Sequence, residues 1–467
     1  MSINSCLSAF LCVSRELQEA WFDQLPSVNF QTQRTNTGSS STKRPWLGII
    51  ADDFTGATDV AGYLVRQGTS TIQIFGLPNN ETHIADVDCV IIALKTRSVN
   101  AEQAVNESLQ AYAWLKEIQV DQIYFKYCST FDSTPAGNIG PVGDALLKAS
   151  GEHFLTFCPS APENGRFVFQ GHLFVNDLLL EESPLRNHPL NPMTDSDIRD
   201  VLKVQSKNSV NHIPYQTITQ GPSEIKEKLK TFKEKYFHVV MDAVTNSDLD
   251  KIAQAIASNT ISSGSAGLAA AIARVHGNAG TPLPAIPEIP DRTVLISGSL
   301  SDASRNQVQR YASSNPTFEV DPMRIASGID LDKEIDSFFA ALPEGSTALI
   351  HGSIDAAKSK KAQTELGVEK AASILEEALS HIAVKARKLG IRKFVVAGGE
   401  TSGAVVSALG IKAIRIGSEI AVGVPWVVSI EKSPLLLVLK SGNFGGPDFF
   451  EDAIKRITTH LEEEIAR

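Results

Sequence analysis

From Trp46 onward, short apolar runs alternate with stretches whose apolar residues recur at helical spacing, the pattern of parallel α/β architecture. In the first half, Leu47–Ala51, Cys89–Leu94, Ile123–Cys128, Phe154–Cys158 and Val239–Asp242 predict strands. Helical periodicity falls between them over Ala101–Lys116 and Val142–Ala149, and Arg166–Val175 alternates as a β-hairpin does. A second series follows, with strands predicted at Val294–Ser297, Ala348–His351, Phe394–Ala397 and Leu435–Leu439. Its helices are predicted at about Ala371–Leu389 and Asp448–Ile465. Between the two series, Gly277–Pro290 (GNAGTPLPAIPEIP) carries four prolines and two glycines and can continue neither helix nor sheet. The expected fold is α/β, two lobes with mostly parallel sheets and a cleft between them. The expected segments are an extension over 1–45, a first domain over 46–276, a linker over 277–291 and a second domain over 292–467.

Composition narrows the partners. The 467 residues carry 43 Lys and Arg against 53 Asp and Glu, a formal charge of −10. That argues against nucleic acid and anionic membranes, both of which need a basic face. Five scattered cysteines make neither a disulfide framework nor a zinc module, and no apolar run is long enough to span a bilayer. Leu7–Val13 has no basic residue before it and Gln31–Lys43 is polar throughout, so the extension reads as disordered rather than as a secretory signal. The expectation is a cytoplasmic protein in a reducing compartment. Oligomeric state stays open, a homo-oligomer included.

Candidate chemistry gathers where strands end. In LGIIADDFTGATDVAGYLVRQG (Leu47–Gly68), Asp52 and Asp53 sit between a strand and a helix start. They suit proton acceptance or substrate hydroxyls; alternatively Asp52 caps the helix and Asp53 pairs with a lysine. Asp53 is the favoured base. Further strand ends supply Arg97, Lys126, Ser129, Thr130, Asp132 and Asn138, and RNHPLNPMTDSD supplies His188. Arg97, by its fork, and Lys126 are candidates for a substrate carboxylate, although Lys126 can equally snorkel from a strand end. Hydroxyls and carboxamides suit a hydroxylated substrate. His188, before a proline and without a second His or Cys at metal spacing, fits a turn as well as a ligand.

Four small-residue turns open helices: SSGSAGLAAAIA (Ser262–Ala273), LISGSLSDAS (Leu295–Ser304), VVAGGETSGA (Val395–Ala404) and VLKSGNFGGPD (Val438–Asp448). Glycine lets backbone approach a ligand, and free helix N-terminal amides bind anions. Together such turns suit a phosphate or nucleotide site. No Gly-Lys dipeptide, no Gly-x-Gly-x-x-Gly after a strand and no serine-hydrolase elbow occurs.

Together the segments GIIADDFTGATDVAGYLV, KYCSTFDSTPAGNIGPVGDALL, CPSAPENGRFVFQGHLFV, RNHPLNPMTDSD, VVAGGETSGAVVSALGI and LKSGNFGGPDFF, in this order from about Trp46 to the C-terminus, resemble the four-carbon acid-sugar kinase family. Within it the likeness is to the branch acting on 3-oxo-tetronates. The resemblance implies an N-terminal acid-sugar-binding domain whose end contributes to the ATP site, and a C-terminal nucleotide-binding domain. It implies transfer from ATP, with Mg2+, to the 4-hydroxyl of a 3-oxo-tetronate in sugar-acid catabolism. It puts ATP contacts on Ser265, on Gly398, Gly399, Glu400 and Thr401, and on Gly442 and Asn443. The alternatives are D-threonate or D-erythronate as acceptor, a non-catalytic sugar-acid-binding protein, and a nicotinamide dehydrogenase, which the missing dinucleotide fingerprint disfavours.

Overall fold

The computed structural model describes residues 44–465 except 80–81, 83, 85, 188–190, 278–288, 290–291, 344, 422, 441 and 443. Nearly all of the expected extension and linker, together with His188 and Asn443, lies outside the described residues.

Twelve strands form the main sheet: β1 (Leu47–Ala51), β2 (Thr71–Phe75), β3 (Cys89–Ala93), β4 (Gln122–Lys126), β5 (Ile261–Gly264), β6 (Thr293–Ser297), β7 (Thr317–Val320), β8 (Ala348–Gly352), β9 (Lys393–Ala397), β10 (Ala413–Ala421), β11 (Val424–Ser429) and β12 (Leu436–Lys440). Their order is β5-β4-β1-β3-β2-β10-β11-β12-β9-β6-β8-β7. The first five are mutually parallel, as are the last five. Between the blocks, β10 is antiparallel to β2 and to β11, and β11 is antiparallel to β12. Three reversals invert the second block relative to the first.

The two mostly parallel lobes therefore share one sheet. Periodicity gives no sign of the join, because β2 and β10 meet through pairs such as Ile72 with Arg415, residues far apart in sequence. Local pattern reports burial, not the identity of a hydrogen-bonding partner.

A smaller parallel sheet (Phe154–Phe157, Ser209–Ile213, Phe237–Met241) and a meander (Arg166–Phe169, His172–Val175, Leu178–Leu179) complete the first half. The helices that matter for the site are α1 (Phe54–Arg66), α2 (Ala266–His276), α3 (Asp302–Ala312), α4 (Gly399–Ala408) and α5 (Phe449–Ile465).

β1 is apolar at every position because both of its faces are covered. Leu47, Ile49 and Ala51 join α1 residues Ala57, Val60 and Leu64 and α2 residue Leu268 in one cluster. Ile50 joins Ile92, Phe125, Leu115 and Leu146 in another, on the opposite face. So buried a strand can show polar groups only at its ends, and there Asp52 and Asp53 stand.

Candidate active site

Asp52 and Asp53 occupy the turn between β1 and α1. The Asp52 amide donates to the Lys126 carbonyl at 3.1 Å, and its carbonyl accepts from the Thr96 and Arg97 amides at 2.9 and 3.2 Å. The ends of both neighbouring strands are thereby pinned to it. Arg97 then reaches back, donating from Nε to Asp52 Oδ2 at 2.9 Å and from Nη2 to Asp52 Oδ1 at 2.8 Å. The same Nη2 donates to Asp53 Oδ1 at 2.8 Å. That oxygen also accepts from the Gly56 amide at 2.9 Å, while Thr55 Oγ1 donates to Asp53 Oδ2 at 2.8 Å. Asp53, not Asp52, is the N-cap of α1, where the helix dipole favours a negative charge.

One guanidinium thus answers two adjacent carboxylates. The fork that was expected to grip a substrate carboxylate is closed on Asp52, and Arg97 meets the site as the holder of the aspartate pair. The pair itself is asymmetric. Solvent reaches 7% of the Asp52 side chain and 23% of that of Asp53. Burial pushes the Asp52 carboxyl up, in spite of Arg97. Burial pushes on Asp53 too, but Arg97, Lys126, the Thr55 hydroxyl and the Gly56 amide outweigh it and hold this carboxyl below its ordinary value.

The two faces of the sheet divide the other candidates. Asp52, Thr96, Arg97, Phe125, Asp132, Ser133, Asn138, Ile139 and Val142 line a narrow crevice. Asn138 Nδ2 donates to the carbonyls of Thr96 and Val99, both at 2.7 Å, so it fixes the loop that carries Arg97. Its Oδ1 is buried without a partner among the described residues. Ser129 and Thr130 lie on the same loop as Asp132 but outside the pocket lining, with Thr130 Oγ1 2.9 Å from Cys128 Sγ. Lys126, next to Phe125 in β4, projects to the other face. It is 2% exposed, and its Nζ lies 3.9 Å from Asp59 Oδ2 on α1.

In the second block, β6, β9 and β12 are neighbours and their C-terminal turns knit together. The Gly398 amide donates to the Lys440 carbonyl at 2.9 Å, and the Gly298 amide to the Ala397 carbonyl at 3.1 Å. Ser301 and Ser304 hydroxyls donate to the Gly442 carbonyl at 2.7 and 2.8 Å. Gly398 has φ 124°, and a Cβ there would stand 2.9 Å from Thr401 Oγ1 and 3.3 Å from the Ser299 amide nitrogen. Its lack of a side chain is required by both conformation and space. Gly399 is less constrained, since a Cβ would meet only Thr55 Cγ2 at 3.8 Å. α4 has no side-chain cap, which leaves its first amides available to an anion. Glu400 is exposed in that first turn and Thr401 is buried.

The contact of Gly399 with Thr55 joins the halves: the first turn of α4 lies against the first turn of α1, and Phe54 lies 3.6 Å from where a Cβ on Gly403 would be. Asp53 and the Gly398–Gly399 turn are therefore close neighbours. Ser265 is differently placed. Its Oγ donates to the Ser160 carbonyl at 2.7 Å and accepts from the Gly267 amide at 3.2 Å, capping its own helix, α2. Its strand, β5, is two places from β1 at the sheet edge.

Sequence reasoning passed over Asp59, Ser299, Ser301, Ser304 and Lys440. For Lys440 a signal existed: like Lys126 it is a lysine that ends an apolar strand. The serines carried none, since hydroxyls in a turn are common for local reasons.

Residues 47–272 match a family model for a sugar-binding N-terminal domain, and residues 294–450 one for a nucleotide-binding C-terminal domain. A 3-oxo-tetronate kinase from Cupriavidus necator is 43% identical over 434 residues, covering 91% of this chain and 100% of that protein. The 3-oxo-tetronate kinase from Haemophilus influenzae is 40% identical, covering 87% and 98%. Among solved structures, a Haemophilus influenzae protein aligns with a TM-score of 0.76 at 40% identity, covering 87% of this chain and 98% of its own. A Salmonella typhimurium protein aligns with a TM-score of 0.79 at 39% identity and the same coverage. With both halves matched in order and relatives aligned almost end to end, this chain belongs to the four-carbon acid-sugar kinase family.

Proposed function

We propose that the protein is a kinase that transfers the γ-phosphoryl group of ATP to the 4-hydroxyl of a 3-oxo-tetronate. The observation that carries this reading is the meeting of α1 and α4, which sets the Asp53 carboxylate beside a glycine turn with free helix amides. The kinase relatives, aligned over nine-tenths of the chain, support it.

In this reading the sugar acid lies over the first block and ATP over the second. Asp53 accepts the proton of the 4-hydroxyl. Its low pKa keeps it ionised at neutral pH, and a loose transition state, in which phosphoryl charge is spread over equatorial oxygens, needs positioning more than a strong base. Asp52 has both oxygens on Arg97 and serves to aim the guanidinium, which in turn aims Asp53. Lys126, buried beside Asp53 and Asp59, supplies positive charge at the point of transfer. Asp132 and the unpaired Oδ1 of Asn138 suit substrate hydroxyls. The amides of Gly398–Thr401 and the Gly442 turn take the phosphates. Among the described residues no group of three or more His, Cys, Asp or Glu side chains gathers to hold a metal. Mg2+ would enter with ATP as MgATP and would offset the charge of its phosphates.

Coupled ADP-release assays on 3-oxo-tetronates and on the reduced four-carbon acids test the proposal. Turnover of the 3-oxo acids is expected. Activity confined to D-threonate or D-erythronate would move the acceptor from the ketone to the alcohol series, and ADP release with neither would overturn the reading.

A further inference from the structure

The strands on either side of β1 each place a lysine beside the start of α1. Lys126 ends β4, and Lys95 follows β3, two residues before Arg97. The Lys95 backbone is fixed by its neighbours: the Leu94 amide donates to the Ala51 carbonyl and the Thr96 amide to the Asp52 carbonyl, both at 2.9 Å. Leu94 packs with Ile50 on the far face of the sheet, whereas Lys95 lies on the α1 side. Its Nζ stands 4.9 Å from the centroid of the Phe54 ring, the first residue of α1. Phe54 is also the residue that lies against Gly403 of α4, and Thr55 beside it meets Gly399. Lys95 therefore stands over the seam where α1 and α4 come together.

A ring face steadies an ammonium without taking up its N–H groups. Among the described residues Lys95 makes no ion pair and no hydrogen bond through Nζ, so its donors are open to a ligand. Across the seam the second block presents carboxylates. Glu400 is exposed in the first turn of α4, and Glu376, on the helix Val368–Lys388, is half-buried. Neither carboxylate is paired among the described residues. Burial and Glu400 push the Glu376 carboxyl up and Lys95 draws it down, so the three side chains share one neighbourhood. A triphosphate on the Gly398–Thr401 turn would bring its own negative charge to this acidic rim, and helix amides carry only partial charges. A full cation is needed at the end where charge moves, and the first block holds Lys95 there without a competing partner.

We infer that Lys95 is a further catalytic residue of the phosphoryl transfer, a cation from the sugar-binding half that takes an oxygen of the γ-phosphate at the seam between α1 and α4. The inference rests on the reading that the Gly398–Thr401 turn takes the phosphates of ATP. In the step, the 4-oxygen of the acid bonds to the γ-phosphorus as the bond from that phosphorus to the β,γ-bridging oxygen breaks. The electron pair of the broken bond leaves with ADP, and the hydroxyl proton passes to Asp53. Lys95 keeps its protons throughout and offsets the charge spread over the phosphoryl oxygens. ADP has no γ-phosphate and does not reach Lys95, so the residue acts on ATP and spares ADP.

Steady-state kinetics and titration calorimetry of the full-length protein test this split. Lys95→Met is expected to lower kcat about a hundredfold, as for loss of one transition-state donor. MgATP should bind about tenfold more weakly and MgADP within about twofold of wild type, with the sugar-acid KM within about threefold. Because the side chain is exposed, the Tm should move by no more than about a degree or two. Lys95→Arg, which keeps the charge, should recover at least tenfold of the lost kcat and the preference for ATP over ADP. Equal weakening of ATP and ADP, with a lower Tm, would make Lys95 a structural cap on the Phe54 ring and overturn the inference. A raised sugar-acid KM with unchanged ATP binding would assign it to the substrate carboxylate and overturn it as well. If Lys95→Met does not fold, Lys95→Gln carries the same expectations. Wild-type turnover with an unimpaired variant sinks the role of Lys95 alone, whereas a wild type that binds no MgATP sinks the phosphate-site reading with it.

Discussion

The two parallel blocks end in turns of opposite character. The first block ends in side-chain charge: Asp52, Asp53 and Arg97 interlock within 2.8–2.9 Å, with Lys126 close behind. The second ends in backbone, three glycine turns cross-linked through carbonyls and amides, with Lys440 enclosed beneath. The difference matches the ligands proposed for them. A sugar acid offers hydroxyls at fixed angles, which need acceptors aimed one by one. A triphosphate offers many equivalent oxygens, which a rim of amides meets without aiming. The first block should therefore be intolerant of isosteric changes in charge, and the second of added carbon.

The largest break in that contrast is expected from Arg97→Met. Removing the guanidinium leaves two neighbouring carboxylates, one of them buried, without their common partner. Losing one member of a buried ionic group costs about 3–5 kcal/mol, so a drop of many degrees in Tm is expected together with loss of turnover. A Tm within a degree or two of wild type would mean that the pair does not depend on Arg97.

Next comes Asp53→Asn, nearly isosteric and still able to cap α1. A fall of at least a hundredfold in kcat is expected, with the ATP KM within about threefold, as for loss of a general base. Near-normal kcat here, with the loss appearing in Asp52→Asn, would exchange the roles of the two carboxylates.

Gly398→Val tests the second block. A side chain at φ 124° in contact with Thr401 and Ser299 should shift the turn and raise the ATP KM about tenfold or more, roughly 1.4 kcal/mol. The sugar-acid KM should hardly move. Equal effects on both substrates would dissolve the division of labour between the blocks.

The smallest effect concerns pH. Asp52 has a raised pKa in the folded protein, so its contribution to stability is present at low pH and is lost as pH climbs from the ordinary carboxylate value through the raised one. Asp53 has a lowered pKa, so its contribution is present above the ordinary value and is lost only as pH falls through the lowered one. From pH 4.5 to 7 the Tm of Asp52→Asn should therefore gain on wild type while the gap for Asp53→Asn stays nearly level. Parallel trends in the two variants would show that the carboxylates do not differ in this way.

Much of this was written into local pattern. The apolar runs at Leu47–Ala51, Cys89–Ala93, Phe394–Ala397 and Leu436–Lys440 are strands because burial on both faces demands such runs. The Asp pair and the glycine turns stood out because strand ends are where such a sheet can show polar groups and tight turns. What the sequence alone could not decide was pairing. The inversion of the second block depends on β10 and β11 filling the gap between β2 and β12, a choice made by edges far apart in the chain. The closing of Arg97 on Asp52 and Asp53 depends on a backbone register that brings Thr96 and Arg97 to the Asp52 carbonyl. The enclosure of Lys440 depends on α3 and α5 packing over it. Periodicity records whether a position is buried, and only the assembled sheet determines which charges and turns are buried together.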